Sequence, residues 1–132
     1  MTAPRLWLFL GIANALLAAI LAAAGAHGPM APTTPFLQHI LSTASLFHFI
    51  HSLAMIQFGL WLAQNPNHNN VTGIFFLTGT VLFVGSLYAL VFTTITLPGL
   101  LTPVGGALLM LGWLTWGVQV VLPGKKTPYK QN

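Results

Sequence analysis

The chain has 132 residues, a length that suits one domain. It contains no Asp, no Glu and no Cys, and only Arg5, Lys125, Lys126 and Lys130 carry full charge, so 3% of residues are charged against 55% hydrophobic. Roughly a quarter of a water-soluble domain is charged, so the expected main solvent is a bilayer. The missing side chains exclude disulfides, thiolate metal sites, Cys nucleophiles, paired carboxylates, carboxylate proton relays and all-oxygen cation cages. The net charge of +4 lies near the chain ends and flanks apolar spans. There is no basic stripe with interleaved aromatics, so no nucleic-acid partner is expected.

A bilayer core takes about 20 apolar helical residues. The first stretch of that kind runs from Leu6 to Ala26 and ends in "AAAGAHG", residues 22–28. Arg5, the apolar run and an Ala-x-Ala pattern imitate a secretory signal. The run is nevertheless long enough to span, and a retained first helix is the expectation. "HGPMAPTTP" follows, with Pro29, Pro32 and Pro35 at three-residue spacing, which predicts an extended or polyproline-like connection. The second span is predicted from Gln38 to Leu62. It is followed by the wholly polar "NPNHNN" (Asn65–Asn70) with its Asn-Pro turn signal. The third span runs from Val71 to Thr93, the turn "TLPGL" from Thr96 to Leu100, and the fourth span from Thr102 to Leu122.

The expected fold is therefore all-α: one integral domain over residues 1–132, a four-helix transmembrane bundle. Lys and Arg favour the cytoplasmic side. Arg5 precedes span one, and Lys125, Lys126 and Lys130 follow span four. Both termini and "NPNHNN" are therefore expected in the cytoplasm, with the protein in the inner (plasma) membrane. Ala15, Ala19 and Ala23, and likewise Ala18, Ala22 and Ala26, recur every four residues, a spacing that lets helices approach closely. Trp7 and Trp61 fit an aromatic belt at the inner interface.

Polar groups inside a span are costly and usually face the bundle. Here they are His48, His51, Ser52, Gln57, Ser86 and Tyr88. His48 and His51 stand at i, i+3, about 60° apart on one helix face, and Met55 continues the stripe. Imidazole and thioether ligands suit copper, and His pairs suit haem. The alternative is that each His simply hydrogen-bonds neighbouring helices, with Tyr88, Ser86 or a carbonyl as partner. No cofactor is expected; haem or copper on His48, His51 and Met55 is the other possibility. His27 at the end of span one, with Thr102 at the start of span four, completes a candidate polar cluster of His27, His48, His51, Ser86, Tyr88 and Thr102. "TPVGG" predicts Thr102 as N-cap and Pro103 in the first turn of span four. Gly105 and Gly106 there, with Gly25 and Gly85, allow close backbone approach. His39 and His68 are expected at the interfaces or in solvent.

Four motifs occur in order: "GAHG" (Gly25–Gly28), "FIHSLAM" (Phe49–Met55), "GTVLFVGSLY" (Gly79–Tyr88) and "TPVGGALLMLGW" (Thr102–Trp113). With them the chain resembles the small membrane proteins of the YgdD / transmembrane protein 256 family, domain of unknown function 423. The resemblance implies a four-span membrane protein without an established activity. It carries over onto His27, His51, Gly85, Ser86, Tyr88, Thr102, Pro103, Gly105 and Gly106. Relatives often have Gln where this chain has His48.

Three functions compete. The first is a structural or accessory membrane protein that packs against a partner protein or a second copy. The second is a binder of a small ligand, lipid or metal through the cluster around His51. The third, a transporter or channel component, is disfavoured by the lack of any acidic residue. An enzyme is not expected, because no acid orients the His and no oxyanion hole is implied.

Overall fold

The computed structural model describes residues 1–93, 95 and 99–124. Four helices carry the chain: α1 (Ala3–Ala26), α2 (Pro35–Gln64), α3 (Val71–Thr93) and α4 (Leu101–Val121). All four are long and apolar enough to cross a membrane, and no strand occurs among the described residues. Lys125, Lys126, Lys130 and most of the "TLPGL" turn (residues 96–98) lie outside the described residues.

Local chemistry sets the helix ends. Thr34 caps α2 by accepting a bond from the Leu37 amide at 3.3 Å, and Pro35 takes the first helical position, where its missing N–H costs nothing. Helix α2 therefore starts three residues before Gln38. At 30 residues it is about 45 Å long, longer than the hydrocarbon core. The expected extended connection after α1 is instead opened by a single 3-10 turn over Gly28–Met30, which Pro29 tolerates near its start. Thr102 is not the N-cap of α4. That position belongs to Leu100, without a side-chain cap, and the Thr102 hydroxyl is taken by Ser86 on α3 at 2.7 Å. Pro103 then sits third in the helix, still within the turn whose N–H groups have no intrahelical partner.

The bundle is two antiparallel hairpins, α1–α2 and α3–α4, joined through α2 and α3. Helices α2 and α3 form the centre, with nine buried residues each against four each in α1 and α4. The near end holds the N-terminus, loop 65–70 and Gly124, which abuts Asn67 and His68. The far end holds residues 27–34, the end of α3 and the start of α4.

Each hairpin is sealed by glycines at backbone contact. A Cβ on Gly11 would lie 2.8 Å from the Ser52 carbonyl oxygen and the Ile56 nitrogen of α2. One on Gly59 would lie 2.9 Å from the Leu8 nitrogen of α1. In the second hairpin a Cβ on Gly105 would fall 2.8 Å from the Phe83 Cα, and one on Gly79 would fall 2.9 Å from the Leu109 nitrogen. The contact line of α1 is Trp7, Gly11, Ala18 and Gly25, spaced as in a left-handed coiled coil. The stripe Ala15, Ala19, Ala23 is not that line; Ala19 and Ala23 are exposed.

Trp7 is not an interface-belt residue. Its ring is buried against Gly73 and Phe58, and its indole N–H donates to the Asn70 side-chain oxygen at 3.0 Å. It thereby wedges α1 to α3 and the near-end loop. The loop is also tied to α4: Gln119 Oε1 accepts from the Asn69 amide at 3.2 Å, and its Nε2 donates to Thr72 Oγ1 at 2.9 Å. Gln57, expected to face the bundle, is exposed on α2.

Candidate functional site

The six candidate polar residues fall into separate groups. Helix α2 is central, so a 60° step around it moves a side chain from one seam to the next. His48 faces α1 and α3: Nε2 lies 3.3 Å from Asn14 Oδ1 and Nδ1 lies 3.4 Å from Tyr88 Oη. His51 faces α4: Nδ1 lies 2.8 Å from the Phe47 carbonyl and Nε2 lies 3.3 Å from the Trp113 indole nitrogen. Ser86 and Thr102 pair with each other on the α3–α4 seam. His27 is the exposed C-cap of α1, its backbone N–H on the Ala23 carbonyl.

The partners assign the protons. A carbonyl only accepts and an indole N–H only donates, so His51 is the neutral tautomer with its proton on Nδ1. Asn14 Nδ2 donates to the Leu10 carbonyl at 2.8 Å, which turns Oδ1 toward His48. His48 therefore carries its proton on Nε2, and its bare Nδ1 accepts from the Tyr88 hydroxyl. The result is a directed chain from Tyr88 through His48 and Asn14 to the backbone of α1. Its two imidazole bonds are long for their type. Ser86 donates to the Phe83 carbonyl at 2.8 Å, so Thr102 donates to Ser86.

His48 and His51 thus do not present a shared ligand pair, and Met55 packs with Ala54 and Phe76. Among the described residues no three His, Cys, Asp or Glu come together to hold a metal ion. Two clefts open beside the two imidazoles. One, of about 200 Å³, lies between α1 and α3 and is lined by Asn14, His48, Thr80 and Tyr88 among apolar side chains. The other, of about 430 Å³, lies beside α4 and is lined by Phe47, His51, Phe83, Gly106 and Trp113 with aliphatic neighbours. Trp113→Phe keeps an aromatic ring beside Phe76 and removes the indole N–H that donates to His51. It is expected to destabilise the fold by about 0.6 kcal/mol, the typical worth of such a bond within a bilayer, as measured by reversible unfolding in mixed micelles.

The sequence pointed to His48, His51 and Tyr88, and to Tyr88 or a carbonyl as partners of the imidazoles, but not to Asn14 or Trp113. Asn14 was findable: it is the lone side-chain amide of the first span. Trp113 resembles an ordinary interfacial Trp in the sequence, and Thr80 an ordinary helix hydroxyl. Gly105 is buried against Phe83 and Gly25 against Leu41. Gly106 makes ordinary contact with the Phe83 ring, and a Cβ on Gly85 would meet nothing within 4 Å.

Four spanning-capable helices with polar side chains buried between them define a small polytopic α-helical membrane protein. A family model described as "Protein of unknown function (DUF423)" matches residues 21–106, from the end of α1 to the first turns of α4. The chain belongs to this family. It is similar to a UPF0382 membrane protein of Staphylococcus aureus, 33% identical over 110 residues, 83% of this chain and 90% of that protein. It is also similar to the UPF0382 membrane protein YwdK of Bacillus subtilis, 33% identical over 112 residues, 83% of this chain and 91% of that one. No solved structure matches the chain.

Proposed function

We propose that the protein is a non-catalytic accessory protein of the inner (plasma) membrane, which binds another membrane protein or a second copy of itself within the bilayer. The supporting observation is how its two central imidazoles are used. Both ring nitrogens of His48 and of His51 are occupied by groups of the protein. The chain has no Asp, Glu or Cys to take over acid–base or nucleophilic work. Its intramembrane polar groups hold helices together, which suits a scaffold and leaves a carrier or hydrolase without its working parts. No resident cofactor is part of this reading. Both termini and loop 65–70 face the cytoplasm, because Arg5 and the three Lys flank the first and last spans.

The test combines sidedness and partnership. The chain lacks Cys, so single substitutions Asn67→Cys and Pro32→Cys report topology without background. Asn67→Cys is expected to react with an impermeant maleimide only after the cell is opened, and Pro32→Cys in intact cells. Photo-crosslinkers at Ala19 and Gly117, on the outer faces of α1 and α4, are expected to capture one discrete species in native membranes. A monomer with no reproducible crosslinked product would remove the accessory reading, and reversed labelling would remove the orientation.

A further inference from the structure

The cleft between α1 and α3 holds hydrogen-bonding capacity that the fold leaves unused. Ser42, Ser52, Thr78, Ser86 and Thr115 each return their hydroxyl hydrogen to a backbone carbonyl three or four residues earlier. That is the usual way for a helix in lipid to satisfy a hydroxyl. Thr80 does not. It is 2% exposed, lines the cleft, and its Oγ1 has no partner. Across the cleft, Asn14 commits one amide hydrogen to the Leu10 carbonyl and its oxygen to His48. The second amide hydrogen is unspent. Both groups stand near the middle of their helices, and His48 of α2 closes the space between them.

Both unused groups can donate, and among the described residues no full charge is near. Arg5, the closest full charge along the chain, is about two and a half turns from Asn14 at the near end. An anionic head would enter without a counter-charge and a cationic one without an acceptor anion. The volume of about 200 Å³ equals about seven waters, a head group of similar heavy-atom count. A side chain on Gly85 would grow into open space, so the absent side chain there helps keep the cleft open. Leu17, Leu21 and Val81 line its apolar walls.

We infer that this cleft binds an uncharged lipophilic molecule by a carbonyl oxygen, which accepts from Thr80 Oγ1 and Asn14 Nδ2 while its tail lies along the apolar wall of α1 and α3. This goes beyond the accessory role. A ring ketone of a quinone and an acyl ester of a neutral glycerolipid share the required chemistry.

The experiment uses the full chain in nanodiscs of an ether-linked phosphatidylcholine, which brings no ester carbonyl. The probes are a photoactivatable decyl-quinone, a photoactivatable dioleoylglycerol and, as charged control, photoactivatable palmitate. One neutral probe is expected to label α1 and α3 peptides saturably, and which one does so identifies the source. Gly85→Leu, whose Cβ has no atom of the fold within 4 Å, is expected to reduce that labelling about tenfold or more by filling the space. Thr80→Val is expected to reduce it about fivefold, the worth of one neutral hydrogen bond, and Thr80→Ser to restore it. Three outcomes would each overturn the proposal: no saturable labelling by either neutral probe, equal saturable labelling by palmitate, or labelling unchanged in Gly85→Leu and Thr80→Val.

Discussion

Gly105→Leu is expected to unlock the α3–α4 hairpin and to destabilise the protein by about 3 kcal/mol, the upper part of the range for overpacking a tight core. The reason lies in what the new side chain would meet. A Cβ at this position falls on the Phe83 nitrogen and Cα, backbone atoms that move only if two helices separate. Even Gly105→Ala is expected to be net destabilising, by about 1 kcal/mol. Its return of about 1 kcal/mol in helix propensity is outweighed by the lost approach. Gly112→Ala meets the Phe76 ring, 2.5 Å from Cδ1. That ring is fully buried against His51, Trp113 and Trp116, so the cost should be similar and spread to the His51 cluster. Gly117→Ala meets nothing within 4 Å and is expected to be neutral or stabilising by up to about 1 kcal/mol. Reversible unfolding in mixed micelles, followed by far-ultraviolet circular dichroism, ranks the four. Equal effects at Gly105 and Gly117 would contradict the packing described.

These contrasts mark how far the sequence could be read. The four helices were legible because apolar length and turn chemistry are local properties: four runs of about 20 residues, separated by Pro, Asn and Pro-Gly breaks. The family was legible from four short motifs in order. Which glycines seal the hairpins was not, because Gly85 and Gly117 look no different from Gly79 and Gly105 until a neighbouring helix is placed. The Ala15–Ala19–Ala23 stripe was the more conspicuous pattern on α1, yet the seven-residue line through Trp7, Gly11, Ala18 and Gly25 makes the contact. Polar residues were legible as exceptions to hydropathy, but their partners depend on which seam each faces. His48 and His51 share a helix face in isolation and separate once α2 stands between α1 and α4. The same central position makes two clefts where the sequence suggested one cluster. Thr80 stood inside "GTVLFVGSLY" but carried no polar signal of its own, since a hydroxyl in a membrane helix ordinarily bonds its own backbone.

Gly11→Leu is the matching break in the first hairpin, and its consequences differ from those at Gly105 in a way that tests the architecture. A Cβ there would lie 2.6 Å from the Ile56 side chain and 2.8 Å from the Ser52 carbonyl oxygen, so α1 must move off α2. A loss of about 3 kcal/mol is again expected from overpacking against backbone. Asn14 lies three residues further along α1 and holds His48 at 3.3 Å, so moving α1 also breaks the Tyr88–His48–Asn14 chain. Asn14→Leu alone is expected to cost about 0.6 kcal/mol, and up to about 1.7 kcal/mol if the His48 N–H finds no other acceptor. In the Gly11→Leu background that cost should vanish, because the bond is already lost. Gly105→Leu sits in the other hairpin and shares no partner with Gly11, so those two losses should add within about 0.5 kcal/mol. The pair of cycles separates two descriptions of the molecule. Coupling between Gly11 and Asn14 with additivity between Gly11 and Gly105 means two hairpins docked through α2 and α3. Strong coupling in both cycles would mean a single cooperative core, in which neither glycine seam is a separate unit of packing.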